Sequence, residues 1–280
     1  MLRPVRLSER VERFFARTPT LPPATHTESY ALGSREVVLV EPATPYEDER
    51  HEWVAWARSL ESQGRSLVAL VMTHHHPDHV GGAEFLAREL GLPLWGHPRA
   101  RNFGLKLDRE LVDGETVVLN GPTNSQWEVL HTPGHASDHL CLLSKEDSTL
   151  VVGDMVASVG TILIAPGDGN MIEYLHQLSR LEKLGATLAL PAHGDPIENP
   201  SRLFRAYIAH RGMREVWIAK AVGMHPGADL DQLVKVAYAD TPVEIHPIAK
   251  LSLAAHLEKL VVEGQVELRN ERYSLTRAPS

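Results

Sequence analysis

Apolar residues in this chain of 280 fall into short continuous runs separated by stretches of helical spacing. Leu67-Val68-Ala69-Leu70-Val71-Met72 is one such run and predicts a buried strand, after which residues 80–90 take up the spacing of a helix. Residues 127–130, 149–153 and 187–190 are further strand-like runs, and each leads into a histidine or an aspartate. Residues 30–40 predict a hairpin turning near Gly33-Ser34, residues 48–63 an amphipathic helix with Trp53 and Trp56 on its core face, and residues 92–95 a short strand. Residues 171–184 predict a helix entered from the glycine-rich segment 158–170, whose backbone amides are placed to line a site. At the start, residues 8–17 predict a short helix and residues 18–24 a proline-rich connector.

After residue 194 the pattern changes. A turn-rich connector at 196–200 is followed by a long helix over 201–222, helices over 229–238 and 247–263, and two strands, 265–269 and 272–275, joined at Asn270-Glu271. Helix, helix and hairpin make a winged-helix order, with Leu251, Leu253, Ala254, Leu257, Leu260 and Val261 spaced as its core. Two units follow, 1–200 and 201–280. The connector is short enough that the second should pack beside the first and form one wall of a substrate cleft.

Candidate chemistry gathers at the turn between the first strand and its helix, Thr73-His74-His75-His76-Pro77-Asp78-His79. A histidine run alone reads as an exposed loop as readily as a site. Extended backbone through His76 puts His74 and His76 on one side, able to share a metal ion, and turns His75 away. Pro77 then turns the chain, so that Asp78 and His79 arrive at the helix start and can serve a second ion nearby.

Composition narrows the class. A hydrophobic content of 43% suffices for one large core and a small second one. No apolar run reaches membrane-spanning length, and Glu9 and Glu12 interrupt the arginine-rich start where a transit peptide would avoid them, so a cytoplasmic protein is expected, with no membrane partner. The single cysteine, Cys141, sits in an apolar run and reads as a small buried hydrophobe.

His-x-His-x-Asp-His at 74–79, Thr132-Pro133-Gly134-His135, Gly153-Asp154 and Ala192-His193-Gly194 resemble, in their order, the ligand motifs of the metallo-β-lactamase superfamily of dinuclear hydrolases. The resemblance implies an α/β fold, an αββα sandwich followed here by the winged helix. It also implies two ions, zinc or else manganese or iron: His74, His76 and His135 on one, Asp78, His79 and His193 on the other, and Asp154 bridging both. Asp78 and Asp154 would be the catalytic carboxylates. Asp138 and His139 follow His135 closely enough to orient it or its neighbours, although ordinary hydrogen-bonded burial is the safer reading of both. Residues 99–113 are placed to form a loop over the site. One position departs from the pattern. Glu41-Pro42 stands where the superfamily usually has aspartate and glycine, which puts a carboxylate one methylene longer beneath the ions.

Tyr207-Ile208-Ala209-His210-Arg211, Leu233-Val234-Lys235-Val236-Ala237-Tyr238 and Ala254-Ala255-His256-Leu257-Glu258-Lys259-Leu260 extend the resemblance to the beta-lactamase-like protein 2 family. Its animal members are endoribonucleases acting on single-stranded RNA, and related fungal members release polyketides from acyl carrier proteins. The expected function is hydrolysis by a hydroxide bridging two ions, foremost of phosphodiesters in single-stranded RNA. The alternative is a thioesterase, glyoxalase II-like or polyketide-releasing. A non-catalytic winged-helix binder of nucleic acid comes third, opposed by the complete ligand set. β-Lactam hydrolysis fits poorly, because the zinc β-lactamases lack the bridging aspartate. The formal charge of −8 divides into −10 for residues 1–200 and +2 for residues 201–280. An acidic catalytic unit makes long phosphate tracking unfavourable, and no duplex-DNA partner is expected.

Overall fold

The chain is apolar on both faces of most central strands because both faces are covered. The computed structural model describes residues 3–276. The first sheet is built from β1 (Val5–Arg6), β2 (Val11–Arg17), β3 (His26–Leu32) and β4 (Glu36–Val40), then, after α1 (Glu47–Ser62), from β5 (Ser66–Val71). Helices α2 (Pro77–Val80) and α3 (Ala83–Leu90) precede its last strands, β6 (Leu94–Gly96) and β7 (Arg109–Glu110). The second sheet comprises β8 (Thr116–Leu119), β9 (Ser125–His131), β10 (Leu140–Ser144) and β11 (Thr149–Gly153), then, after α4 (Met171–Glu182), β12 (Leu188–Pro191) and β13 (Ile197–Glu198). The chain closes with α5 (Pro200–Met224), α6 (Leu230–Ala237), α7 (His246–Val262) and the hairpin β14 (Val266–Arg269) and β15 (Arg272–Leu275). No helix among the described residues is long and apolar enough to cross a membrane.

Alternation along each strand assigns the layers. Val38 and Val40 of β4 meet Trp127 and Val129 of β9 between the sheets, whereas Val37 and Leu39 turn outward onto Trp53, Trp56 and Leu60 of α1. Likewise Val151 of β11 faces inward, while Leu150 and Val152 pack against Tyr174 and Leu178 of α4 and Phe204 of α5. The result is four layers, helix, sheet, sheet, helix, which is the αββα sandwich expected from the motifs. Cys141 is buried on the α4 side as a small apolar side chain, and burial pushes its thiol up to about 12.

Three expectations need correction. Residues 11–17 form a strand, not a helix: β2 pairs antiparallel with β3 from Val11↔Leu32 to Arg17↔His26. Its arginines and glutamates hid the aromatic and β-branched residues that suit a strand. Phe14 stacks on Trp56 at 5.0 Å, and Glu12 Oε1 accepts from Trp56 Nε1 at 2.8 Å, so even a charged position is used by the packing. The helix expected over 80–90 is interrupted at Gly81-Gly82, which pack so close to the chain at Thr44 that a Cβ on Gly82 would come within 2.7 Å of the Thr44 carbonyl oxygen. Leu251, spaced as core, is exposed, and Ser252 beside it turns inward.

Helix α5 serves both units. Phe204 lies in the core under the second sheet, and Ile218, Ala221 and Val222 lie in the core shared by α6, α7 and the hairpin. A cut before residue 201 would therefore open the catalytic unit's own core, rather than leave it intact.

Two outcomes check this packing. Trp53 is fully buried and donates its Nε1 to Ser29 Oγ at 3.0 Å. Trp53→Ala should lower the unfolding free energy by about 3–5 kcal/mol, read by urea titration; a loss below about 1 kcal/mol would contradict the assigned core. Glu28 on β3 is buried 3.6 Å from Arg13 Nε, and its Oε2 has no hydrogen-bond partner. Burial, offset in part by Arg13, pushes its carboxyl up to about 7 from the usual 4.5. Between those values the folded state holds a proton that the unfolded chain has lost, so this group makes stability fall as pH rises through that window. Glu28→Gln should flatten the fall relative to wild type in denaturation curves taken between pH about 5 and about 8. An unchanged slope would show that Glu28 ionises normally.

Candidate metal centre

Five strand ends converge on one edge of the sandwich. Glu41 follows β4, His74 and His76 follow β5, His135 follows β9, Asp154 follows β11 and His193 follows β12. The parallel pairs β4–β5 and β11–β12 bring the first and last of these ends alongside their neighbours. Gly153 makes the turn into Asp154 possible: its φ is +47°, and a Cβ there would meet His139 Nε2 at 2.6 Å.

His74, His76 and His135 bring ring nitrogens face to face. His74 Nε2 lies 2.9 Å from His76 Nδ1 and 3.2 Å from His135 Nε2, and His135 Nε2 lies 3.0 Å from His76 Nδ1. Their outer nitrogens settle the protons. His135 Nδ1 donates to the Leu163 carbonyl at 2.9 Å. Thr73 Oγ1 gives its one proton to Glu41 Oε1 at 2.6 Å, so it must accept from His74 Nδ1 at 3.0 Å. Both inner Nε2 atoms therefore present lone pairs, and His76 can place a proton between only one pair. Such a convergence is favourable only around a cation. Burial, reinforced by the neighbouring imidazoles, lowers all of these histidines: His74 well below its ordinary value, His76 to about 3, and His135 as well.

The second group is Asp78, His79 and His193. His79 Nδ1 donates to Glu41 Oε1 at 3.1 Å and His193 Nδ1 to the His26 carbonyl at 3.0 Å. Their Nε2 atoms thus point at carboxylates: His79 at Asp78 and Asp154 (3.7 and 3.6 Å), His193 at the same pair (3.4 Å to each). Burial opposes charge on His193, but Asp154 and Asp78 outweigh it and raise the imidazole to about 10. His79 is raised well above its ordinary value in the same way, with Glu41 the largest favourable contributor. Asp78 and Asp154 are held well below the usual carboxylate range by these imidazoles, against their own burial. The two carboxylates thus favour positive charge in this half, which a divalent cation would supply. His79 Nε2 and Asp154 Oδ1 are buried without a hydrogen-bond partner. Asp154 reaches both groups, its Oδ2 lying 3.4 Å from His135 Nε2. The donor set fits two divalent ions in chemistry and in orientation.

Supporting contacts resolve what the sequence left open. Glu41 takes a left-handed backbone, φ +61°, which absorbs the extra methylene and lets one carboxylate hold both Thr73 and His79. His139 accepts from the Asp154 backbone N–H at 3.0 Å and bonds Thr132 Oγ1 at 2.8 Å, so it orients Asp154. His75 turns away from the His74, His76 and His135 trio to Asp138 Oδ1 at 2.8 Å and stacks on Phe103 with centroids 3.4 Å apart. A ligand-type atom of His75 does lie near His76 and Asp168.

Five of the seven side chains, His76, Asp78, His135, Asp154 and His193, face a cavity of about 250 Å³, and His74 and His79 are buried behind them. One wall is the glycine-rich segment, including Val159, Ile162 and Leu163; the other is the proline-rich stretch from Pro19 to Ala24, which the sequence reading treated as a connector. Among the described residues, none of 99–113 and none beyond His193 lines it. The C-terminal unit acts at one remove, through Tyr207, whose hydroxyl lies 3.3 Å from both the amide nitrogen and the carbonyl oxygen of Ala157.

Comparison with known proteins agrees with this geometry. Residues 23–193 match the family model described as the metallo-β-lactamase superfamily, and residues 230–272 match the β-lactamase-associated winged helix domain. The chain is 28% identical to the beta-lactamase-like protein 2 homolog of Caenorhabditis elegans, over 94% of this chain and 88% of that one. It is 29% identical to an atrochrysone carboxyl ACP thioesterase of Aspergillus fumigatus, over 75% and 64% of the two chains. A β-lactamase domain protein from Burkholderia ambifaria has the same fold, with a TM-score of 0.86 and 21% identity over 98% of this chain and 93% of that one. With its catalytic unit matched over more than half of the sequence, the chain belongs to the metallo-β-lactamase superfamily, as a hydrolase carrying a C-terminal winged helix.

Proposed function

We propose that this hydrolase cleaves a small acyl substrate, a thioester or related ester, at a two-ion centre. The observation that carries the reading is the cavity lining. Leu21, Pro22, Val159, Ile162 and Leu163 supply apolar surface, and among the described residues no lysine or arginine lines it. A phosphodiester backbone is ordinarily gripped by cationic side chains, whereas an acyl chain needs apolar walls. The name of the A. fumigatus relative supports the same class.

In this reading His74, His76 and His135 would hold one ion, Asp78, His79 and His193 the other, and Asp154 both. The ions, zinc or else manganese or iron, would supply Lewis acidity and acidify a water toward neutral pH. The protein's own groups do the rest. Asp78 and Asp154 present carboxylate oxygens to the cavity and can accept the proton released as the nucleophile forms. Glu41 and His139 keep His79 and Asp154 in register, and the apolar walls exclude bulk water. Hydroxyl from water joins the acyl carbon, the C–S or C–O bond breaks, and a proton goes to the leaving atom.

The second reading is an endoribonuclease on single-stranded RNA. Likeness to the C. elegans relative along nearly the whole chain, winged helix included, favours it. Protein loaded with zinc or manganese should hydrolyse acyl thioesters and leave single-stranded RNA intact; RNA cleavage without thioester hydrolysis would replace the first reading with the second. Asp154→Asn should reduce turnover by at least about 100-fold on whichever substrate is cleaved. Retained turnover would remove Asp154 from the centre. His76→Ala should lose bound metal on dialysis while His75→Ala keeps it, and elemental analysis showing the opposite would contradict the assigned ligands.

A further inference from the structure

Arg211 is a buried side chain in the middle of α5 whose guanidinium forms no ion pair with any carboxylate among the described residues. Burying a charge without a counter-charge is costly unless its hydrogen bonds serve the structure. Its partners are specific. Nη2 donates to the Ile162 carbonyl and Nη1 to Ser252 Oγ on α7 at 3.3 Å, while the guanidinium carbon lies 5.7 Å from the centroid of the Tyr174 ring. Ile162 belongs to the cavity wall, and the next carbonyl along the chain, that of Leu163, accepts from His135 Nδ1 at 2.9 Å. That bond sets which nitrogen of His135 faces His74 and His76. One turn earlier on the same face of α5, Tyr207 holds the other end of the wall at Ala157.

We propose that Arg211 is a positioning residue for the metal centre: by holding the Ile162 carbonyl from α5 and Ser252 from α7, it fixes the adjacent Leu163 carbonyl and thereby the orientation of His135. The winged helix is then coupled to the first ion through one guanidinium, and it tunes the centre without touching the substrate. The inference rests on the two-ion reading.

The full-length protein and the variants Arg211→Met, Arg211→Lys and Ser252→Ala are compared by zinc competition against a chromophoric chelator and by thermal melting of the metal-free forms. Arg211→Met should weaken one of the two zinc equivalents by about 10–100-fold and leave the other near wild type. Arg211→Lys, which keeps the charge but spans only one acceptor, should fall between, and Ser252→Ala should shift the same equivalent by a smaller factor. If Arg211→Met fails to fold, the lysine and alanine variants carry the test. Variants that melt earlier yet bind both equivalents with wild-type affinity would overturn the proposal and leave Arg211 a packing residue. A wild-type protein that binds no zinc would instead sink the two-ion reading, and the coupling with it.

Discussion

Lone pairs that converge with too few protons between them are the constraint on which this structure depends. His74 and His135 each have their outer nitrogen committed to an oxygen, so their inner nitrogens meet only 3.2 Å apart as acceptors. Converging acceptors of that kind are unfavourable without a cation between them, and the surrounding bonds hold them in that arrangement. Glu41 anchors both halves at once, through Thr73 to His74 and directly to His79. A single carboxylate at the end of β4 therefore sets the relation between the two groups of ligands. It does so from a strained backbone, φ +61°, which marks the position as one kept for function more than for folding.

The sandwich explains why those bonds can be made. Strand ends are fixed by ladders on each side and by apolar faces above and below, so a side chain just past the last ladder bond inherits the rigidity of the sheet. His74, Asp154 and His193 occupy such positions, and His135 lies in the turn four residues beyond β9, held by its bond to the Leu163 carbonyl. The walls of the cavity come from less regular chain, the glycine-rich segment and the proline-rich stretch near the start, and the first of these also holds His135 through the Leu163 carbonyl, so wall and centre are coupled there.

The convergence of the candidate ligands was legible in the sequence because each lies within a few residues of a strand whose apolar run is unmistakable, and local spacing alone turns His75 away from His74 and His76. Much of the rest depends on residues distant in sequence. Nothing in Pro19 to Ala24 signals a cavity wall until β2 and β3 pair and carry that stretch across the site. The strand β2 is masked by arginine and glutamate, of which Glu12 turns its carboxylate to the Trp56 indole nitrogen. Glu41 read as a defect in the motif, since only the folded backbone shows how a longer side chain fits. The Tyr207-to-Arg211 segment carried family likeness, but its part in bracing the cavity wall needed the contact across to Ala157 and Ile162.

Anomalous X-ray diffraction from zinc-soaked crystals tests the central claim most directly. Two peaks should appear in each chain, one among His74, His76 and His135 and the other among Asp78, His79 and His193, with Asp154 touching both. A single peak, or peaks away from these side chains, would contradict the two-ion centre on which the assigned chemistry stands.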